Sequence, residues 1–211
     1  MAYLGTQPND VKKNTGLYTP SEILQLTKDG SWGGSLELIE EQTVSDVAGF
    51  NLTNIKENVY DVHLLQFNSV HTVSNTSNTT YRLRVSTDGG SSFVTTGYQY
   101  AVQDGSTIAA FNEVKSTSAS EMFLTFTSDT DTNNANANGY CYIYNLGNSN
   151  KYSFTTLQSM AQINSSTGIM WFGGNVYPQA NTVNALNIST STGFTFDGHF
   201  KLFGVKQIWV T

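Results

Sequence analysis

Residues able to carry acid–base, metal or nucleophilic chemistry are few in this chain. There are three histidines, His63, His71 and His199. Asp61 and His63 stand at i and i+2, a spacing that puts two side chains on one face of a strand. A carboxylate there can orient an imidazole or begin a metal site. No second His or Cys lies at a ligand-like spacing from the pair, so a structural cross-strand role is expected. His199 follows Asp197-Gly198, which places it at a turn. The stretch from Asp129 to Gly139 opens as a calcium loop does, with Asp129, Asp131 and Asn133 at its first, third and fifth positions. That pattern then needs Gly at the sixth position and a bidentate Glu at the twelfth, where this chain has Asn134 and Tyr140. A solvated loop is expected, and the three oxygens are weak metal candidates only.

Glu37, Glu40 and Glu41 cluster. A retaining glycosidase needs two carboxyl groups about 5–5.5 Å apart, which i, i+2 residues on one strand face can approach and i, i+3 or i, i+4 residues do not. Glu37 falls on the polar side of its strand, so a solvated edge is expected. No Gly-X-Ser-X-Gly elbow, phosphate-binding loop or zinc-protease motif occurs. The chain is expected not to be an enzyme and to need no cofactor. Cys141 is the sole cysteine, which excludes an intrachain disulfide and a cysteine-rich zinc site. Tyr98, Tyr100, Tyr140, Tyr142, Tyr144, Trp171, Phe172 and Tyr177 are candidates for stacking against a sugar, with Tyr98, Tyr100, Trp171 and Tyr177 foremost. Their competing role is to fill a core or a subunit interface, where most aromatics of an all-β chain go.

Composition narrows the elements that must position these residues. Charged residues make up 12% of the chain, about half the usual 25%. Ser, Thr, Asn and Gln supply 80 of the 211 residues, which suits turns and solvated strand faces and works against helix interiors. The net charge is −6. The basic spots Lys12-Lys13 and Arg82/Arg84 are too small to track a phosphate backbone, so nucleic acid is not an expected partner. No apolar run approaches the ~20 residues of a membrane-spanning helix. The first residues lack the apolar core of a secretory signal, so a soluble protein of a reducing cytosol is expected.

Residues 1–18 combine Gly5, Pro8, Asn9 and Gly16 with unperiodic apolar residues, and read as an extended arm. Thr19-Pro20-Ser21-Glu22 is a capping box with Pro at the first helical position. Tyr18 and Ile23 suit a hydrophobic staple, Ile23, Leu24 and Leu26 supply an apolar face, and Gly30 a left-handed stop. A helix of about ten residues is unstable alone in water and must dock, with Trp32 as the anchor. From residue 35 the pattern has period two. Val59 to Phe67 is apolar on both faces, which predicts a central strand, and Tyr81 to Val85 alternates with Arg82 and Arg84 opposite. Asp88-Gly89 between this run and Phe93–Val102 predicts a hairpin. With the later runs, roughly nine to eleven strands are expected, at the spacing of a sandwich or barrel. The expected division is arm and helix over 1–34 and β domain over 35–211.

Several segments together resemble a recurrent β-sandwich module of tailed-bacteriophage virion proteins, found in tail-fibre, head-fibre and capsid-decoration components. They are Gly16 to Ile23 running to Trp32, Leu38 to Ser45, Val59 to Leu65, Leu83 to Phe93 with Tyr98 to Ala101, Tyr142 to Asn145, and Phe194 to Lys206. The resemblance implies an all-β, antiparallel, jelly-roll-like sandwich without catalysis, assembled into homotrimers or larger symmetric arrays. It implies other virion proteins of capsid or tail as partners, and residence in the virion after assembly in the host bacterial cytoplasm. Tyr3, Leu4, Val11, Leu17, Tyr18, Ile23, Leu26 and Trp32 are the expected anchoring and oligomer contacts. The alternative is a tail-fibre module that binds a host-surface glycan through Tyr98, Tyr100, Trp171 or Tyr177.

Overall fold

A computed structural model describes residues 19–21, 24–25, 35–73, 79–108, 111–127, 136–164, 167–191 and 193–206. The chain divides into two compact units, Met1–Ser35 and Leu36–Thr211. In the first, Pro20, Ser21, Leu24 and Gln25 are helical, where the capping box predicts a helix to begin. The anchoring residues Tyr3, Leu4, Val11, Leu17, Tyr18, Ile23, Leu26 and Trp32, and the loop oxygens of Asp129, Asp131 and Asn133, lie outside the described residues.

The second unit is an all-β antiparallel sandwich. Its strands are β1 (Leu36–Val47), β2 (Gly49–Leu52), β3 (Val62–Thr72), β4 (Thr79–Ser86), β5 (Tyr98–Ser106), β6 (Asn112–Ala119), β7 (Met122–Thr127), β8 (Ala137–Tyr144), β9 (Ser153–Asn164), β10 (Thr167–Tyr177), β11 (Ala185–Thr190) and β12 (Phe196–Val205). One sheet holds eight strands in the order β1-β12-β3-β8-β9-β10-β5-β6, and the other holds four, β2-β11-β4-β7. The two strands that fall on none of the expected runs are β2 and β6. β6, Asn112 to Ala119, is so polar that it shows almost no apolar alternation. It is the last strand of its sheet, where one face and one edge meet water and few apolar residues are needed.

Period-two patterning selects the core. Leu65 and Phe67 of β3, Cys141 and Ile143 of β8, and Phe200 and Leu202 of β12 point inward, as do Tyr81, Leu83 and Val85 of β4 and Leu186 and Ile188 of β11. Full burial of each large apolar side chain contributes about 1.5–3 kcal/mol. Rings interlock between the layers. Tyr81 meets Phe196 edge-on at 5.3 Å, Phe50 lies 4.8 Å from Phe200, and Phe123 lies 4.8 Å from Trp171. β3 occupies the interior of the large sheet, and both Leu64 and Leu65 are buried, in keeping with its two apolar faces.

The hairpin expected at Asp88-Gly89 is corrected by the structure. β4 belongs to the small sheet and β5 to the large one, so the segment 87–97 crosses between layers. The local turn chemistry is nonetheless as the residues suggest. Gly89 and Gly90 adopt φ of 74° and 88°, which glycine reaches without strain. The Asp88 carboxylate accepts hydrogen bonds from Ser86 Oγ (2.7 Å), Ser92 N (2.9 Å) and Ser92 Oγ (2.6 Å). These donors hold its pKa down at about 2. A turn signal reports that the chain reverses, and not which sheet the next strand joins.

His199 is also corrected: it lies on β12 opposite Thr43 of β1, and its Nδ1 is 3.0 Å from Thr43 Oγ1. β12 is irregular between Asp197 and His199, so the Asp-Gly signal marks a bulge in a continuing strand.

Candidate functional site

The Asp61–His63 pairing is replaced by another partner. His63 is fully buried and its Nε2 donates to the Ile55 carbonyl oxygen at 2.7 Å, while Asp61 is exposed. That bond sets the tautomer, and desolvation pushes the imidazole pKa below its ordinary value, so His63 is a neutral core residue.

The three glutamates each have a structural partner. Glu37 pairs with Lys56 at 3.4 Å and Lys206 at 3.5 Å. Its pKa is lowered chiefly by a hydrogen bond from Tyr60, whose own pKa rises to about 12 through burial and that carboxylate. Glu40 accepts from Gln42 Nε2 at 2.7 Å, and Glu41 meets Lys201, its cross-strand neighbour, at 3.2 Å.

The four aromatics foremost for sugar contact do not form a platform. Tyr98, Trp171 and Tyr177 are buried, with Tyr98 and Tyr177 packed ring to ring at 5.5 Å. Tyr100 is half-buried beneath the Arg82 guanidinium, whose carbon lies 5.9 Å from the ring centroid. A ring inside the sandwich has both faces covered by protein, which leaves none for a ligand. All four sit on inward strand positions, and alternation does not say which of two aromatic parities is the outer one.

The outer parity of the eight-stranded sheet carries the exposed aromatics. On β8, Tyr140, Tyr142 and Tyr144 form a ladder with centroids 5.8 and 6.4 Å apart. Cross-strand bonds steady it: Tyr140 Oη donates to Gln158 Oε1 at 2.9 Å, and Tyr144 Oη lies 3.2 Å from Thr156 Oγ1. On β9, Phe154 and Met160 are 43% and 48% exposed. On β10, Trp171 and Asn175 point inward, which sets Phe172, Gly174 and Val176 outward.

Register then builds a trough. Tyr142, Thr156, Gly174, Ala101 and Lys115 form one row across β8, β9, β10, β5 and β6. Gly174 and Ala101 make a floor almost without side chains. Gly174 can carry none, because a Cβ would stand 2.6 Å from the Thr155 carbonyl oxygen. The row on one side holds Gln158, Phe172, Gln103 and Glu113, and the row on the other holds Phe154, Val176 and Gln99. Four residues of strand separate these rims, about 14 Å. Two adjoining hollows of about 290 and 480 Å³ open here, the first against Phe172, Gln103 and Glu113, the second against Phe154, Val176, Gln99 and Lys115. Among the described residues, the trough's lysine is paired: Lys115 Nζ is 2.6 Å from Glu113 Oε1. Phe111 extends the Phe172 rim, edge-on at 6.4 Å and 65% exposed.

Only the Tyr140–Tyr144 and Phe172 rings of this face stood among the aromatics first singled out; Phe154, Gly174 and Ala101 carried no signal. Among the described residues, no group of three His, Cys, Asp or Glu is placed to hold a metal ion. No described helix is long and apolar enough to cross a membrane.

No protein-family model matches this chain, and no curated protein matches it. Among solved structures, the CBM2 module of the evolved Dit of Lactobacillus casei BL23 phage J-1 aligns over 80% of this chain and 70% of its own at 11% identity. The TM-score is 0.22, too low for that likeness to carry any argument about this chain.

Proposed function

We propose that this chain is a non-enzymatic structural module of a tailed-phage virion, anchored on capsid or tail through residues 1–34, with its β-sandwich outward in a homotrimer or larger symmetric array. The observation that supports it most is the outer face of the eight-stranded sheet. The eight-stranded sheet displays Leu38, Tyr140, Phe154 and Met160 to solvent, all more than a third exposed. Exposed apolar side chains spread over one sheet face suit a surface that meets something. The family resemblance of the segments from Gly16 to Lys206 supplies the virion setting. Deleting residues 1–18 is expected to leave a folded sandwich that no longer enters particles and whose mass, by light scattering, drops from trimer or larger. Undiminished incorporation of the truncated chain would sink the anchoring role.

A second reading, a module that binds a host-surface glycan, is favoured by one specific observation: the aromatic-rimmed trough over Gly174 and Ala101.

A further inference from the structure

The geometry points to a neutral saccharide chain as the occupant of this trough, lying across β9, β10, β5 and β6 between Phe154 and Phe172. This deepens the glycan-binding reading and rests on it. The first argument is shape. The floor row has no side chain beyond Cβ at two successive strands, and backbone crowding at Thr155 forbids one at Gly174. The depression is therefore part of the sheet itself and does not wait on a rotamer change. It runs across the strands, with an aromatic ring on each rim about 14 Å apart.

The second argument is the chemistry of the lining. Gln99 and Gln103 place two exposed amides on opposite rims, and Thr156 adds a hydroxyl at one end. Each amide offers donors and an acceptor, which hydroxyl-rich ligands can use in any rotation. Rings supply apolar faces for the C–H side of a sugar, so polar and apolar contacts alternate as a saccharide's own surface does. The Glu113–Lys115 ion pair cancels its own charge. Other polymers fit less well. A phosphate backbone needs unpaired cations. An extended peptide adds to a sheet edge rather than lying on a face, and an amphipathic helix needs a continuous apolar groove where this one is broken by amides.

The test uses the full chain on an array of immobilised neutral and charged oligosaccharides, beside two variants. Phe154→Ala with Phe172→Ala removes both rims. Ala101→Arg leaves the rims and fills the floor, and its outward, exposed position tolerates the larger side chain. Saturable binding to neutral glycans is expected, weakened about tenfold or more in each variant, with unchanged denaturation midpoints. Wild-type binding that survives both variants would overturn the assignment of the trough. No saturable binding to any glycan would overturn the saccharide. If the variants then also lower the mass seen by light scattering, the trough is a contact between copies, and the virion reading stands without the glycan.

Discussion

At the scale of single residues, chemistry-bearing groups among the described residues have structural partners. His63 is the clearest case. Its pKa is depressed by burial, so the unfolded chain takes up a proton at higher pH than the folded one. The stabilisation is complete above the unfolded value of 6.5 and is lost as pH falls below it toward the folded pKa. Asp88 acts in a lower window. Its folded pKa near 2 lies below the ordinary 3.8, so its contribution is full above that value and fades as pH falls through about 2. Urea midpoints measured from pH 8 to 5 are expected to decline for the wild type and to flatten in His63→Gln. An equal slope in that variant would assign the acid sensitivity elsewhere. The interaction that His63 makes was not readable from its neighbours in sequence. The spacing of Asp61 and His63 is real, but the partner that settles the imidazole is a carbonyl eight residues away, reached only when the 53–61 segment folds back.

Between elements, the two layers are joined by a few buried polar ties as well as by apolar packing. Asn175 of β10 accepts from the Phe123 amide at 2.8 Å and donates to the Phe123 carbonyl at 3.0 Å and to Thr155 Oγ1 at 2.6 Å. Thr125 Oγ1 reaches Ser159 Oγ across the same gap at 2.9 Å. The Tyr98 hydroxyl does the same at the crossing from β4 to β5, accepting from Val85 N and donating to the Val94 carbonyl. Replacing Asn175 with Leu keeps the volume but strands a buried amide and a carbonyl of β7. A loss of about 3 kcal/mol is expected in guanidinium denaturation. A change under about 1 kcal/mol would mean that β7 finds other partners. These ties explain why a polar residue belongs inside a sandwich whose sequence alternation would accept an apolar one. The same crossing explains the misread hairpin: the glycines specify the turn, while the Tyr98 and Val85 contacts decide that β5 leaves for the other sheet.

For the whole molecule, the unequal sheets matter most. Four strands cannot cover eight, and the large sheet has an outer face with no second layer among the described residues. The centre of that sheet is sealed all the same. Cys141 of β8 is buried, and burial pushes its thiol pKa up to about 12. A thiol reagent is expected not to react with the native protein, and to react at a rate that follows global unfolding as denaturant is raised. Rapid labelling in native buffer would show that β8 and β9 part without unfolding the rest.

By itself the sequence determined that this chain is all-β. Sparse charge, abundant Thr, Asn and Tyr, and runs of period-two alternation leave strands as the way to bury the apolar residues from Leu36 to Val205. It also determined local stops and starts, such as the capped entry at Thr19 and the glycine turn at Gly89-Gly90, because these depend on φ and on donors within a few residues. Tertiary structure alone decided the rest. Which parity of Tyr98, Tyr100, Trp171 and Tyr177 faces inward depends on the sheet each strand joins. The trough arises from the register that sets Gly174 beside Ala101, residues 73 positions apart, with Phe154 and Phe172 on either side. Long-range pairing brings such residues together, and no local pattern encodes it.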